Sequence, residues 1–152
     1  MSPKIHISCG MVSGAIAYAI TKLVPFSLSC GFANFLFDVD HCLEYTMFCI
    51  KNKKLPSLYE FFSGAYFQGK DTICVIFHGY EYILLFFLMT TLSFAVDSSI
   101  RWIWLGIMIG YTEHMILDLI GNDCSIKGYS LVYRIFVRFN LNKICTKHKK
   151  LI

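Results

Sequence analysis

The chain has 152 residues, 56% hydrophobic and 16% charged, with mean hydropathy +0.56 and a formal net charge of +4. Soluble domains usually carry about 25% charged residues, so this composition argues against an ordinary water-soluble domain. The length is that of one domain, and the excess of Leu, Ile, Phe and Tyr points to a membrane.

The first apolar run, residues 9–24, reads CGMVSGAIAYAITKLV. Its Gly10, Ser13, Gly14, Ala15, Ala17 and Ala19 predict a small-residue helix-packing face. No A-x-A cleavage site precedes Pro25, so the run is read as a retained helix and not a leader. The second run, 27–50, is SLSCGFANFLFDVDHCLEYTMFCI, apolar apart from Asp38, Asp40, His41 and Glu44. The third, 72–96, carries His78 and Glu81, and the fourth, 99–121, carries Glu113, His114 and Asp118. A spanning helix needs roughly 20 mainly apolar residues. The pattern predicts an all-α, polytopic membrane helical bundle of about four transmembrane helices.

Between the second and third runs, Ser57-x-x-Glu60 fits a capping box and predicts a short interfacial helix. Beyond the fourth, Leu131, Val132, Ile135, Phe136 and Phe139 have helical spacing, with Arg134 and Arg138 on the polar flank of an interfacial C-terminal helix. Leu131, Tyr133, Ile135, Val137 and Phe139 also alternate as in a strand. The tail KHKKLI reads as a solvated basic end near anionic lipid, and its His148 receives no role. The domain reading is therefore 1–122 for the bundle and its site, and 123–152 for a basic amphipathic C-terminal segment.

Twelve of the 14 Lys and Arg residues fall before the first run, between the second and third, or after the fourth. Only Lys22 and Arg101 fall on the other side. By the positive-inside rule both termini are cytoplasmic, as in an inner-membrane protein. The bias accounts for the net charge with no nucleic acid as partner; membrane lipid is the expected partner, and no oligomeric state is implied. The seven cysteines form no CxxC pair and are read as small apolar core residues, not as a disulfide framework or a thiolate zinc site.

Ionisable residues inside spans are costly and mark function. Asp38 and His41 are three apart, His78 and Glu81 three apart, His114 and Asp118 four apart, so each pair shares a helix face. His6 stands just ahead of the first run. Up-and-down passage brings all of these within roughly 10–20 Å of the cytoplasmic helix ends, at about 1.5 Å per residue. Bundles build metal sites from such inward pairs; the plainer alternative is polar glue between helices without a metal. His and carboxylate without thiolate suit a divalent metal, zinc first, with manganese or iron also fitting. Such an ion lowers the pKa of bound water to about 7, and a nearby carboxylate can take its proton. Glu44 and Glu113 lie beside the motifs, off the best faces, as outer partners or lysine partners. No GxSxG, P-loop or GxGxxG pattern supports other common chemistries.

In order, His6, FDVDH (37–41), FHGYE (77–81) and GYTEHMILDL (110–119) resemble the predicted membrane-bound metal-dependent hydrolases, a family that includes the LexA-regulated inner-membrane hydrolase of bacteria. The resemblance covers most of residues 5–122. It implies a metal site containing His6, Asp38, Asp40, His41, His78, Glu81, His114 and Asp118. The ligands expected are His6, Asp40, His41, His78, His114 and Asp118, with Asp38 or Glu81 as the base or as ligands of a second ion. Phe37 stands where the family commonly has Pro, a change expected to alter a helix bend and not the ligands. The motif order is also similar to zinc-dependent phospholipase C, which implies a phospholipid or other phosphoester substrate. The expected function is a membrane-embedded metal-dependent hydrolase using metal-activated water. A non-catalytic metal-binding or transport protein, or a structural membrane protein with polar helix contacts, are the other classes these residues allow.

Overall fold

A computed structural model describes residues 3–67, 70–122 and 124–145. These residues are all-helical; β-pairing among them is limited to two isolated antiparallel bridges, Thr72 to Asn140 and Cys124 to Cys145. The His148 tail lies outside the described residues.

Helix α1 runs from Pro3 to Thr21. The chain turns at Lys22, with φ +57°, and enters α2 (Val24–Leu36) with Pro25 in the first turn, where its missing N–H leaves nothing unpaired. The predicted run 27–50 does not continue as one helix. It breaks at Phe37–Asp38, and α3 (Val39–Lys51) follows. The bend forms without proline: the Phe37 ring turns into the core against Tyr111, 4.6 Å between centroids. The run 72–96 also shortens. Residues 70–80 are irregular, because their backbone groups are taken up by side chains from other elements, and helix α5 begins only at Glu81 and ends at Ala95. Helix α6 spans Arg101–Gly121, about 32 Å at 1.5 Å per residue.

Helices α1, α2, α5 and α6 form an up-and-down bundle in which α2 packs on both α1 and α6, and α6 also packs on α5. Glycines permit the close approach. A Cβ on Gly10 would lie 2.5 Å from the Gly31 carbonyl oxygen, and one on Gly110 would run into the Cys30 carbonyl. The predicted small-residue face is thus used at Gly10 and Gly14 against Gly31, whereas Ala15 and Ala19 are exposed. Phe86, Tyr111, Met115 and Tyr129 form the main buried aromatic cluster, at the end where α5 starts and α6 finishes.

A cap covers that end. Helix α4 (Leu58–Ser63) begins where predicted, with the Ser57 hydroxyl accepting the Glu60 N–H at 3.4 Å. A 3₁₀ turn (Ala65–Phe67), the segment 70–80, a second 3₁₀ turn (Ile126–Tyr129), α7 (Leu131–Phe136) and α8 (Leu141–Ile144) complete it. Two expectations are corrected here. Arg134 does not flank an interfacial helix: it is 3% exposed, its Nε donating to the Gly128 carbonyl at 2.5 Å and its guanidinium to the Val75 carbonyl at 2.8 Å. Cys124 and Cys145 are not isolated core residues but a disulfide across an antiparallel bridge. Spacing in the sequence could not reveal it, because the partners are 21 residues apart. Cys30 and Cys49 are buried, as expected.

The distribution of polarity is inverted. Ile20 is 77% exposed, Met11 70%, Leu84 71% and Ile120 78%, while His6, Asn34 and His114 are 0% exposed. Among the described residues, α6 is the one helix both long and apolar enough to cross a membrane; α5 is a shorter apolar helix.

Candidate metal centre

Four chain segments end at the same place. The N-terminal turn of α1 supplies His6, the α2–α3 break Asp38, Asp40 and His41, the irregular segment His78, and the last turns of α6 His114 and Asp118. Asp118 is the hub. One oxygen lies 3.1 Å from His6 Nε2; the other lies 3.5 Å from His78 Nε2 and 3.8 Å from His114 Nε2. Asp38 Oδ1 is 3.3 Å from His78 Nε2 and 4.0 Å from His41 Nε2. The rings crowd accordingly: His6 and His114 have centroids 4.2 Å apart, His78 and His114 4.9 Å, and His41 and His78 4.7 Å.

Three overlapping donor sets emerge, each with donor atoms within 4.8 Å of one another: His6, His114 and Asp118; Asp38, His78 and His114; Asp40, His41 and His78. These buried groups can hold a metal ion. Tetrahedral bonds of about 2.0–2.1 Å space donors roughly 3.4 Å apart, and the contacts around Asp118 straddle that spacing. The orphaned atoms give a second test. His114 Nε2, His6 Nδ1, Asp38 Oδ2 and Asp40 Oδ1 are buried and have no hydrogen-bond partner. Unpaired buried polar atoms are rare in folded proteins and call for a reason.

Outer contacts fix the rings. His114 Nδ1 lies 2.7 Å from the Asn34 carbonyl oxygen, which can only accept, so Nδ1 carries the hydrogen and Nε2 is the bare acceptor. Asp40 Oδ2 takes the Phe77 N–H at 2.8 Å and faces His78 Nδ1 at 3.1 Å. Asp40 therefore orients His78 and directs its Nε2 toward Asp38 and Asp118. Burial opposes a charge on His78, but its hydrogen bonds to the Asp38 and Asp40 carboxylates prevail and push its pKa up to about 9.

The segment carrying His78 is itself pinned. The Tyr111 hydroxyl donates to the Phe77 and Gly79 carbonyls, both at 2.7 Å. Glu44 accepts the Cys74 N–H at 2.9 Å and pairs with Lys70 at 3.4 Å. On the other side, Asn122 donates to Asp118 at 3.0 Å, and the Tyr129 hydroxyl donates to the Asp118 carbonyl at 2.9 Å.

His6, Asp38, Asp40, His41, His78, His114 and Asp118 all come together. Glu81 does not join any of the three donor sets. It sits at the start of α5 and accepts from the Ser130 hydroxyl at 2.6 Å and the Leu131 and Val132 N–H groups at 2.9 and 3.3 Å, capping α7. The expected same-face pairing of His78 with Glu81 fails because His78 precedes the helix. Glu113 accepts from Ser13 at 2.7 Å, away from the cluster. Asn34, Tyr111, Asn122 and Tyr129 were not singled out from the sequence, and Arg134 was read only as the polar flank of an interfacial helix. Asn34 alone left a signal: it is an amide within the apolar run SLSCGFANFLF.

Comparisons of the chain with protein-family models, curated proteins and solved structures find no match.

Proposed function

We propose that this chain is a polytopic membrane hydrolase that cleaves a lipid or phosphoester substrate with zinc-activated water. The observation that carries the reading is the bare, fully buried Nε2 of His114, facing Asp118 and flanked by His6 and His78. The order of the four sequence motifs accords with it.

The membrane part rests on the inverted polarity. Helices α1, α2, α5 and α6 present apolar surface outward, while imidazoles and carboxylates from α1, α6, the α2–α3 break, α3 and segment 70–80 are buried, which is the arrangement lipid favours. The Lys and Arg bias puts the capped end in the cytoplasm.

In this reading His6, His114 and Asp118, one of the three donor sets, would hold the ion, with His78 Nε2 beside Asp118 at 3.5 Å. An ion held there would supply Lewis acidity, making a bound water ionise near neutral pH. Asp40 holds the His78 ring in place. Asp38 and His41 form the accessible lip, their side chains 12% and 21% exposed against 0–3% for His6, His114 and Asp118. Asp38 is the base at that lip, receiving the water proton. Tyr111 and Arg134 keep the His78 segment closed over the cluster.

The test is turnover of headgroup-labelled phospholipids in mixed micelles, with and without chelator. Chelation is expected to abolish hydrolysis, and Asp38→Asn to lower it about 100-fold or more, the usual worth of a positioned base. Hydrolysis untouched by chelation and by Asp38→Asn would defeat the proposal.

A further inference from the structure

Beside the site, on the outer side of the bundle, α1 and α2 enclose a groove of about 470 Å³. This lies within the roughly 300–1,000 Å³ range of small-ligand sites. Met11, Gly14, Ala15, Leu28, Gly31 and Phe32 are among its lining residues, and no charged side chain lines it. Gly14 and Gly31 line the groove, and both are already spent on close contact between α1 and α2. A second helix would therefore find no free small-residue stripe to dock on. A flexible apolar chain fits the space.

A cation stands about one helical turn beyond the groove. Ile7 and Phe35 bound it toward the metal cluster; Ile7 adjoins His6, and the Phe35 carbonyl accepts the Asp38 N–H at 3.1 Å. Two turns above Met11 on the same face of α1 stands Lys4. Its Nζ lies 5.6 Å from the centre of the Phe62 ring of α4. Lys4 has no carboxylate at ion-pair distance among the described residues, and the first turn of α1 has no acidic residue. An exposed cation at a helix N-terminus is doubly favourable to an anion.

We propose that this groove binds the acyl chain of an anionic phospholipid, with its phosphate at Lys4. The inference rests on the membrane hydrolase reading and names its substrate class: a lipid whose phosphate is delivered to the end of the bundle that holds the histidine cluster.

The experiment is photo-crosslinking of the full chain, reconstituted in vesicles containing phosphatidic acid with a diazirine in its acyl chain, or the matched phosphatidylcholine probe. Labelled peptides are mapped by mass spectrometry, and metal content is measured on the same samples. Labels are expected to concentrate in residues 3–36 and to be lost in Ala15→Trp, which fills the groove from its exposed rim. Ile16→Trp, on an exposed position outside the groove, should leave labelling intact. Lys4→Gln should reduce phosphatidic acid labelling about fivefold, the worth of one basic residue at a membrane surface, and leave the phosphatidylcholine level unchanged. Labelling spread evenly over α5 and α6, or unaffected by Ala15→Trp and Lys4→Gln, would mean ordinary surrounding lipid and overturn the proposal. Groove labelling in a protein free of metal would uphold the lipid site while removing the metal reading.

Discussion

His114 donates its Nδ1–H to the backbone carbonyl of Asn34 across 2.7 Å, and this one contact leaves Nε2 bare inside the cluster. The carbonyl is held by helix α2, so the imidazole tautomer is set by backbone geometry and not by a titrating neighbour. Histidine ¹⁵N spectra of metal-free protein should show His114 protonated at Nδ1 alone. An Nε2-protonated His114 would remove the ring from the ligand set.

Tyr111 bridges two carbonyls of the segment that carries His78. Tyr111→Phe keeps the ring packing and leaves both carbonyls without that donor. The expected loss is about 1–3 kcal/mol, from the cost of unpaired buried acceptors. Thermal unfolding in detergent measures it, and metal affinity should weaken in parallel, since His78 is no longer pinned. Unchanged stability would show that the hydroxyl does not hold the segment.

Glu81 tests the division between a capping carboxylate and the carboxylates of the histidine cluster. Glu81→Ala removes the acceptor for the Ser130, Leu131 and Val132 groups and should cost about 0.5–2 kcal/mol, as other helix caps do. Metal stoichiometry should not change. Loss of metal with stability intact would return Glu81 to the site.

The histidine and carboxylate cluster was legible because ionisable residues stand out in apolar runs. The orientation drawn from Lys and Arg brings those residues to one end, and the fold places seven of the eight there. What did not read from the sequence has physical causes. Spacing predicted continuous helices through Asp38 and His78, but in both places side chains compete for the backbone: His114 takes the Asn34 carbonyl while the Asp38 N–H bonds Phe35 instead, and Asp40 takes the Phe77 N–H and Tyr111 the Phe77 carbonyl. Arg134 looked amphipathic because charge is normally outside; its partners are carbonyls of distant segments, invisible to periodicity. Asn34 acts at the site through its main-chain oxygen, which no residue pattern encodes.

The Cys124–Cys145 bridge tests orientation. It lies in the cap, on the side the Lys and Arg bias assigns to the cytoplasm, where disulfides are kept reduced. Alkylation in intact cells, followed by mass spectrometry, should find both thiols free, and aerobic purification should then link them. A bridge already formed at the moment of trapping would place the capped end on the oxidising side.

The most direct measurement is the metal content of detergent-purified protein by elemental analysis, alongside His114→Ala and Asp118→Asn. Stoichiometric zinc is expected in the wild type and loss of most of it in both variants, with the helical content of each retained. Protein that folds without stoichiometric metal, and whose stability is indifferent to chelation, would contradict the account and leave the cluster as hydrogen-bonded contact between helices.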